Sequence, residues 1–162
     1  MNGMTPEMLQ RLDDRVEDLA TLRSKLILLI GRPGCGKSAL VAKLANRHAM
    51  KSMNVGATLG KCLAALPPHQ RARQADIAMQ ELSAEYASGD LLLLDNFELL
   101  FDQSLKLAPL VVLKRLAHAR RVVAVWPGEL RDGRLIYAEK GHPEYQDDGL
   151  EGLVPFEIEA VE

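Results

Sequence analysis

Eight consecutive residues carry the most specific chemistry in the chain: Gly31-Arg32-Pro33-Gly34-Cys35-Gly36-Lys37-Ser38, spaced G-x-x-x-x-G-K-S. An apolar run, Leu26 to Ile30, leads into them, and a helical pattern follows from Ala39. These residue types suit one task, the wrapping of a phosphate group by backbone N–H donors. The glycines allow close approach of the main chain. The positive end of the following helix faces the same anion. Lys37 brings a flexible charge to the β- and γ-phosphates, and the Ser38 hydroxyl is a hard oxygen ligand for Mg²⁺. The bland alternative is a glycine-rich strand-to-helix turn that binds nothing. The strand–loop–helix context argues against it.

A second stretch answers the first: Asp90-Leu91-Leu92-Leu93-Leu94-Asp95-Asn96-Phe97-Glu98. Four leucines followed by an acid read as a buried strand ending in Asp95, which would hold the Mg²⁺ shell opposite Ser38. Alone this Walker B pattern is weak; downstream of a P-loop it becomes strong. The expected ligands are ATP and Mg²⁺. Gly31, Arg32, Pro33, Gly34, Cys35, Gly36, Lys37, Ser38 and Ala39 would bind the nucleotide, with Ser38 and Asp95 at the metal. One short strand separates the P-loop strand from Asp95 in the sequence. That order resembles the additional-strand P-loop ATPases (AAA+, STAND and RecA-like groups), which implies a three-layer α/β fold with a mainly parallel sheet. AAA+ ATPases usually place Glu directly after the Walker B Asp to polarise the attacking water. Here that place holds Asn96. Glu98 stands where STAND proteins keep a second acid. Either Glu98 is the base, with Lys37 and Asn96 assisting, or the protein is a slow, nucleotide-gated switch. A surface carboxylate opening a short helix is the plain reading of Glu98.

The remaining elements must position these residues. Residues 1–23 read as an amphipathic helix, with Thr5 as N-cap, Pro6 at the first position and Leu9, Leu12, Val16 and Leu19 on one face. Residues 24–162 read as the nucleotide-binding domain. Its expected strands are Lys25–Ile30, Met53–Ala57, the Asp95 strand, Val122–Trp126, Leu135–Ala138 and Val154–Ile158. Its expected helices follow the P-loop to His48, run from Thr58 as cap to Leu66, from Gln74 to Tyr86, and from Pro109 to Ala119. Pro67–Arg73 reads as a basic loop and Glu129–Asp132 as a polar turn. His142, Glu144 and Tyr145 lie in an exposed-looking loop. Trp126 ends a strand where additional-strand ATPases keep a polar sensor, so it either stacks on a base or packs beneath the site.

Composition narrows the partners. At 162 residues the chain is one domain of common size, and 20 Lys+Arg against 22 Asp+Glu give a net charge of −2. No global basic field argues for nucleic acid, though a local contact with DNA stays open. Cys35 and Cys62 suit a reducing compartment. The charged N-terminus and short apolar runs predict a cytoplasmic protein with no membrane span.

GRPGCGKS, MNVGATLGKCLAALPP, LLLLDNFELLFDQSLKLAP, VVAVWPG and LIYAEKGHPEY together resemble the BrxF family, the small P-loop proteins of type 3 BREX (bacteriophage exclusion) systems. The resemblance covers nearly everything beyond residue 20. It implies an ATPase-like component of an antiphage assembly, with a larger ATPase and a methyltransferase as partners and a homo-oligomer as one possible state. No C-terminal helical lid is expected. An arginine finger would come from a neighbouring subunit, with Arg115, Arg120 or Arg121 as candidates. Two other readings stay open. One is an interaction module that binds ATP without turnover. The other is a small-molecule kinase with Arg131 and Arg134 at a lid.

Overall fold

Leu26-Ile27-Leu28-Leu29-Ile30 contains no polar residue because the strand it forms, β1 (Leu26–Ile30), is covered on both faces. Leu26, Leu28 and Ile30 join one core and Ile27 and Leu29 the other, following the period of two along a strand. The computed structural model describes residues 6–22, 25–32, 34–138 and 140–158. The Thr5 cap and Pro33 lie outside the described residues.

β1 pairs with β4 (Arg121–Val125) on one side and β8 (Val154–Glu157) on the other. β4 pairs in turn with β3 (Leu91–Asp95), and β3 with the two-residue β2 (Met53–Asn54). The order is β2-β3-β4-β1-β8, and every pairing is parallel. The result is an α/β fold with helices on both faces. α1 (Pro6–Leu19) and α2 (Lys37–Arg47) cover one face; α3 (Val55–Ala64), α4 (Pro68–Tyr86) and α5 (Pro109–Ala119) cover the other. Because the strands are parallel, the segments after β1, β3 and β4 emerge along one edge.

α1 is part of this core. Leu12, Val16 and Leu19 are fully buried with Ile27, Leu40 and Val123. Its polar face is anchored too. Asp13 pairs with His48 at 2.7 Å, and Arg47 donates to Gln10 at 3.1 Å. Nearby, Arg121 at the start of β4 grips Asp90 through two bonds of 2.8 and 2.7 Å and donates to the Val16 carbonyl of α1 at 3.1 Å. This hydrogen-bonded guanidinium holds the Asp90 carboxyl below its ordinary value of 3.8. A depressed acid pKa stabilises the fold above the unfolded value and loses that contribution as pH falls through 3.8 and lower. Arg121→Ala removes these hydrogen bonds but, because the Asp90 side chain is half exposed and its charge is screened by water, should lower stability by only about 1 kcal/mol. Urea unfolding at pH 7 and pH 3 tests this. The difference between variant and wild type should shrink at the lower pH.

Four elements depart from the sequence reading. β2 stops at Asn54, because the Asn54 side chain accepts the Ala57 N–H at 3.0 Å and starts α3 three residues before Thr58. Thr58 instead lies in the first turn and donates to the Asn54 carbonyl at 2.7 Å. The expected basic loop is helical: α4 begins at Pro68, a residue preset for the first helical position. Arg71 in that turn donates to the Leu63 and Leu66 carbonyls at 2.9 and 3.2 Å, closing the end of α3. The expected polar turn at Glu129–Asp132 is mostly strand. β5 (Glu129–Arg131), β6 (Arg134–Tyr137) and β7 (Gln146–Asp148) form a separate antiparallel sheet. Asp132 and Gly133, at φ 52° and 74°, make its two-residue hairpin turn. Among the described residues, no helix is long and apolar enough to cross a membrane.

Candidate functional site

The glycine-rich segment follows directly from the end of β1, and Gly34 and Gly36 take φ values of 80° and 99°. Gly36 caps α2 through its backbone alone, without a side chain in the way. The first-turn N–H groups of α2 have no intrahelical acceptors and point back along the axis. Cys35 is 4 % exposed and packs into the core beside Ile158, so its backbone is the part that can serve a ligand. Arg32 is exposed.

Lys37 is the centre of the site. Its ammonium donates to the Gly31 carbonyl at 2.8 Å and to the Trp126 carbonyl, at the end of β4, at 3.1 Å. Burial pushes its pKa below the ordinary 10.5, against the opposing pull of Cys35, Glu98 and Asp95. The two carboxylates thus lie within electrostatic reach of the ammonium.

Ser38 and Asp95 meet. The Ser38 hydroxyl donates to Asp95 Oδ1 at 3.1 Å, although 57 residues separate them. The same oxygen accepts the Asn96 backbone N–H at 2.8 Å. That turn places Asn96 in the left-handed region, at φ 55°. The conformation is held from outside, because the Asn96 carbonyl accepts the Gly56 N–H at 2.9 Å from the start of α3.

The Asn96 amide bridges two groups. One end lies 3.0 Å from Asn54 Oδ1; the other lies 3.2 and 3.1 Å from the two Glu98 oxygens. The Ala57 N–H fixes Asn54 Oδ1 as an acceptor, so Asn96 Nδ2 donates to it and Oδ1 faces Glu98. Turning the amide gives its N–H donors to Glu98 instead. A single amide group cannot serve both oxygens at once. Glu98 itself opens a 3₁₀ turn, Glu98–Phe101, as its sequence position suggests.

Asn54 is the site residue that sequence reasoning does not find. It ends a two-residue strand, and its only local signal is its suitability as a helix cap. Trp126 is fully buried, with its ring 6.2 Å from Phe97 and 5.6 Å from Phe101. It packs beneath the site and does not offer a face to a base. The loop after β6 leans toward the same region. Gln103 donates to the Pro143 carbonyl, and the Tyr137 ring stacks on Phe101 at 3.9 Å. Burial, then Glu144 and Glu98, push the Tyr137 hydroxyl above its ordinary 10.0.

The arginine candidates lie elsewhere. Arg115 pairs with Asp76 at 2.6 Å, and Arg121 is committed to Asp90 and Val16. Arg120 and Arg121 lie where α5 passes into β4, at the sheet edge opposite Lys37. Their own chain's site is out of reach. No protein-family model matches the chain, and no curated protein is significantly similar to it.

Proposed function

We propose that the chain is a Mg²⁺–ATP-binding P-loop protein of the additional-strand type, an ATPase serving a bacterial antiphage assembly of the BREX kind. The observation that carries the nucleotide reading is the meeting of Ser38 and Asp95 at 3.1 Å, with that carboxylate within electrostatic reach of the Lys37 ammonium. The G-x-x-x-x-G-K-S spacing requires the loop, but nothing in that spacing requires an acid from another strand to meet its serine. The strand order supports the type, since β4 lies between β1 and β3. The antiphage role rests on the sequence resemblance alone.

The donor set fits the metal. A hydroxyl and a carboxylate oxygen are hard ligands, and Mg²⁺ is commonly held by one or two protein oxygens with phosphates and water completing its shell. Bound there, the ion would neutralise charge on the β- and γ-phosphates. The chain's own residues do the rest. Loop and helix N–H groups cradle the phosphates. Lys37 adds charge where negative charge develops. Glu98 accepts a proton from water, and Asn96 sets the angle of that carboxylate.

The experiment is a calorimetric titration of ATP with and without Mg²⁺. Wild-type protein should bind more tightly with the ion. Asp95→Ala should keep most metal-free binding and lose at least ~10-fold of the Mg²⁺-dependent gain, the scale of one charge-assisted contact. Unchanged Mg²⁺ dependence in the variant would remove Asp95 from the metal shell. A second reading, a nucleotide-gated module without turnover, draws on one observation: Asn96 occupies the place after Asp95, and turning its amide would give its N–H donors to Glu98.

A further inference from the structure

Lys37 has a partner that phosphate chemistry does not require. Its ammonium holds the Trp126 carbonyl, and the Trp126 indole N–H in turn donates to the Ile136 carbonyl of β6 at 3.3 Å. One residue thus joins the phosphate-loop lysine to the antiparallel sheet. The junction is tight on every side. Trp126 is fully buried, and Phe101 lies between its ring and Tyr137 of β6. A Cβ built on Gly128 would stand 1.8 Å from the Ile136 carbonyl oxygen, so only glycine lets β6 approach this closely. Buried packing of this kind moves between discrete arrangements more readily than it deforms.

We propose that Trp126 is a positioning residue for Lys37 and transmits occupancy of the phosphate loop to the β5–β7 sheet. The proposal rests on the nucleotide-binding reading above. An ammonium has three donors, and two are committed to carbonyls. Contacts to both the β- and the γ-phosphate need two donors, so one carbonyl must be released. The Trp126 bond is the longer, and a bond between two charged groups outcompetes one to a neutral carbonyl. Release frees the end of β4 and, through the indole, loosens the hold on β6. Coupling is reciprocal, so displacing the sheet must change nucleotide affinity.

The test combines amide hydrogen exchange over residues 129–137 with calorimetry on the same samples. Wild-type protein saturated with MgATP should exchange ~5-fold faster there than nucleotide-free protein, the lower range of allosteric coupling. Trp126→Phe keeps an apolar ring but removes the indole N–H. It should exchange fast without nucleotide and show no further rise at ATP concentrations that saturate the variant. Gly128→Ala forces β6 away from the Trp126 indole, since its Cβ would meet both the Ile136 carbonyl and the indole nitrogen. It should raise ATP affinity ~5-fold, because nucleotide and displaced sheet favour each other; unchanged affinity overturns the coupling. This second variant keeps the test decisive if Trp126→Phe folds poorly. ATP binding with unchanged exchange in wild type, or the same rise in Trp126→Phe, overturns the coupling and leaves nucleotide binding standing. Absence of ATP binding by wild-type protein overturns both.

Discussion

Lys37→Ala should lower MgATP affinity by ~10²-fold or more, and it should do so without unfolding the protein. On the proposed reading, the variant removes a charge and the ammonium donors that would reach the β- and γ-phosphates. Bonds to charged groups contribute about 1.5–3 kcal/mol each, and 1.4 kcal/mol is a factor of ten. The stability argument runs the other way. Burial depresses the Lys37 pKa, which means that the folded chain holds this charge less well than water does. Alanine relieves that cost and loses two bonds to carbonyls in return. Thermal unfolding of both proteins should thus give similar midpoints while calorimetric affinities differ. Equal affinities would sink the P-loop assignment. The pH dependence has a definite sign as well. Phosphate binding needs the ammonium form, and the folded pKa lies below 10.5. Affinity should accordingly fall as pH rises toward that value, and the fall should begin below it.

Much of the fold is legible because its signals are local and mutually consistent. The unbroken apolar runs at Leu26–Ile30 and Leu91–Leu94 predict strands covered on both faces, and both are buried. Ser38 and Asp95 are readable as partners because a known chemistry demands an acid beside that serine. What is not legible depends on competition between elements. Val55 and Ala57 continue the pattern of a strand, but Asn54 caps a helix there, and burial of Val55 and Leu59 serves either conformation. Pro67-Pro68 reads as a stop and α3 does end before it, but Pro68 also begins the next helix at once. β7 has no apolar alternation, because Gln146–Asp148 is held by pairing with β6 and by Asp147 gripping Arg134 at 2.6 Å. The Asp132-Gly133 turn is the available signal for the β5–β6 hairpin, and it says nothing of β7. At the site, Asn54 escapes notice for a physical reason. Its role depends on which strand neighbours β3, and no local pattern encodes that.

Glu98→Gln should reduce turnover by ~10²-fold or more if Glu98 is the base, the scale of lost general-base catalysis. The motivation is geometric. Asp95 Oδ1 is occupied by Ser38 and by the Asn96 N–H, and this carboxylate is the proposed metal ligand. Glu98 stands three residues further on, within electrostatic reach of the Lys37 ammonium, with the Asn96 amide 3.1 and 3.2 Å from its oxygens. An acid so placed has a donor that can turn toward it or away toward Asn54. Turned toward Glu98, the amide fixes the carboxylate but competes with water for it. Turned away, it leaves the carboxylate oxygens to water. Glutamine keeps the shape and the contact with Asn96 yet cannot take a proton, so ATP should accumulate on the variant. Single-turnover hydrolysis with pre-bound ATP is the right measurement, because it separates chemistry from binding. Asn54→Ala in the same assay provides the companion result. It removes the alternative partner of Asn96, biases the amide toward Glu98 and should slow the chemical step while sparing affinity. An undiminished rate in Glu98→Gln would move the base elsewhere, to a residue supplied by another subunit. If wild-type protein shows no chemical step at all, with or without DNA, the pair Asn96–Glu98 acts as the latch of a nucleotide-gated module, and the enzyme reading gives way to it.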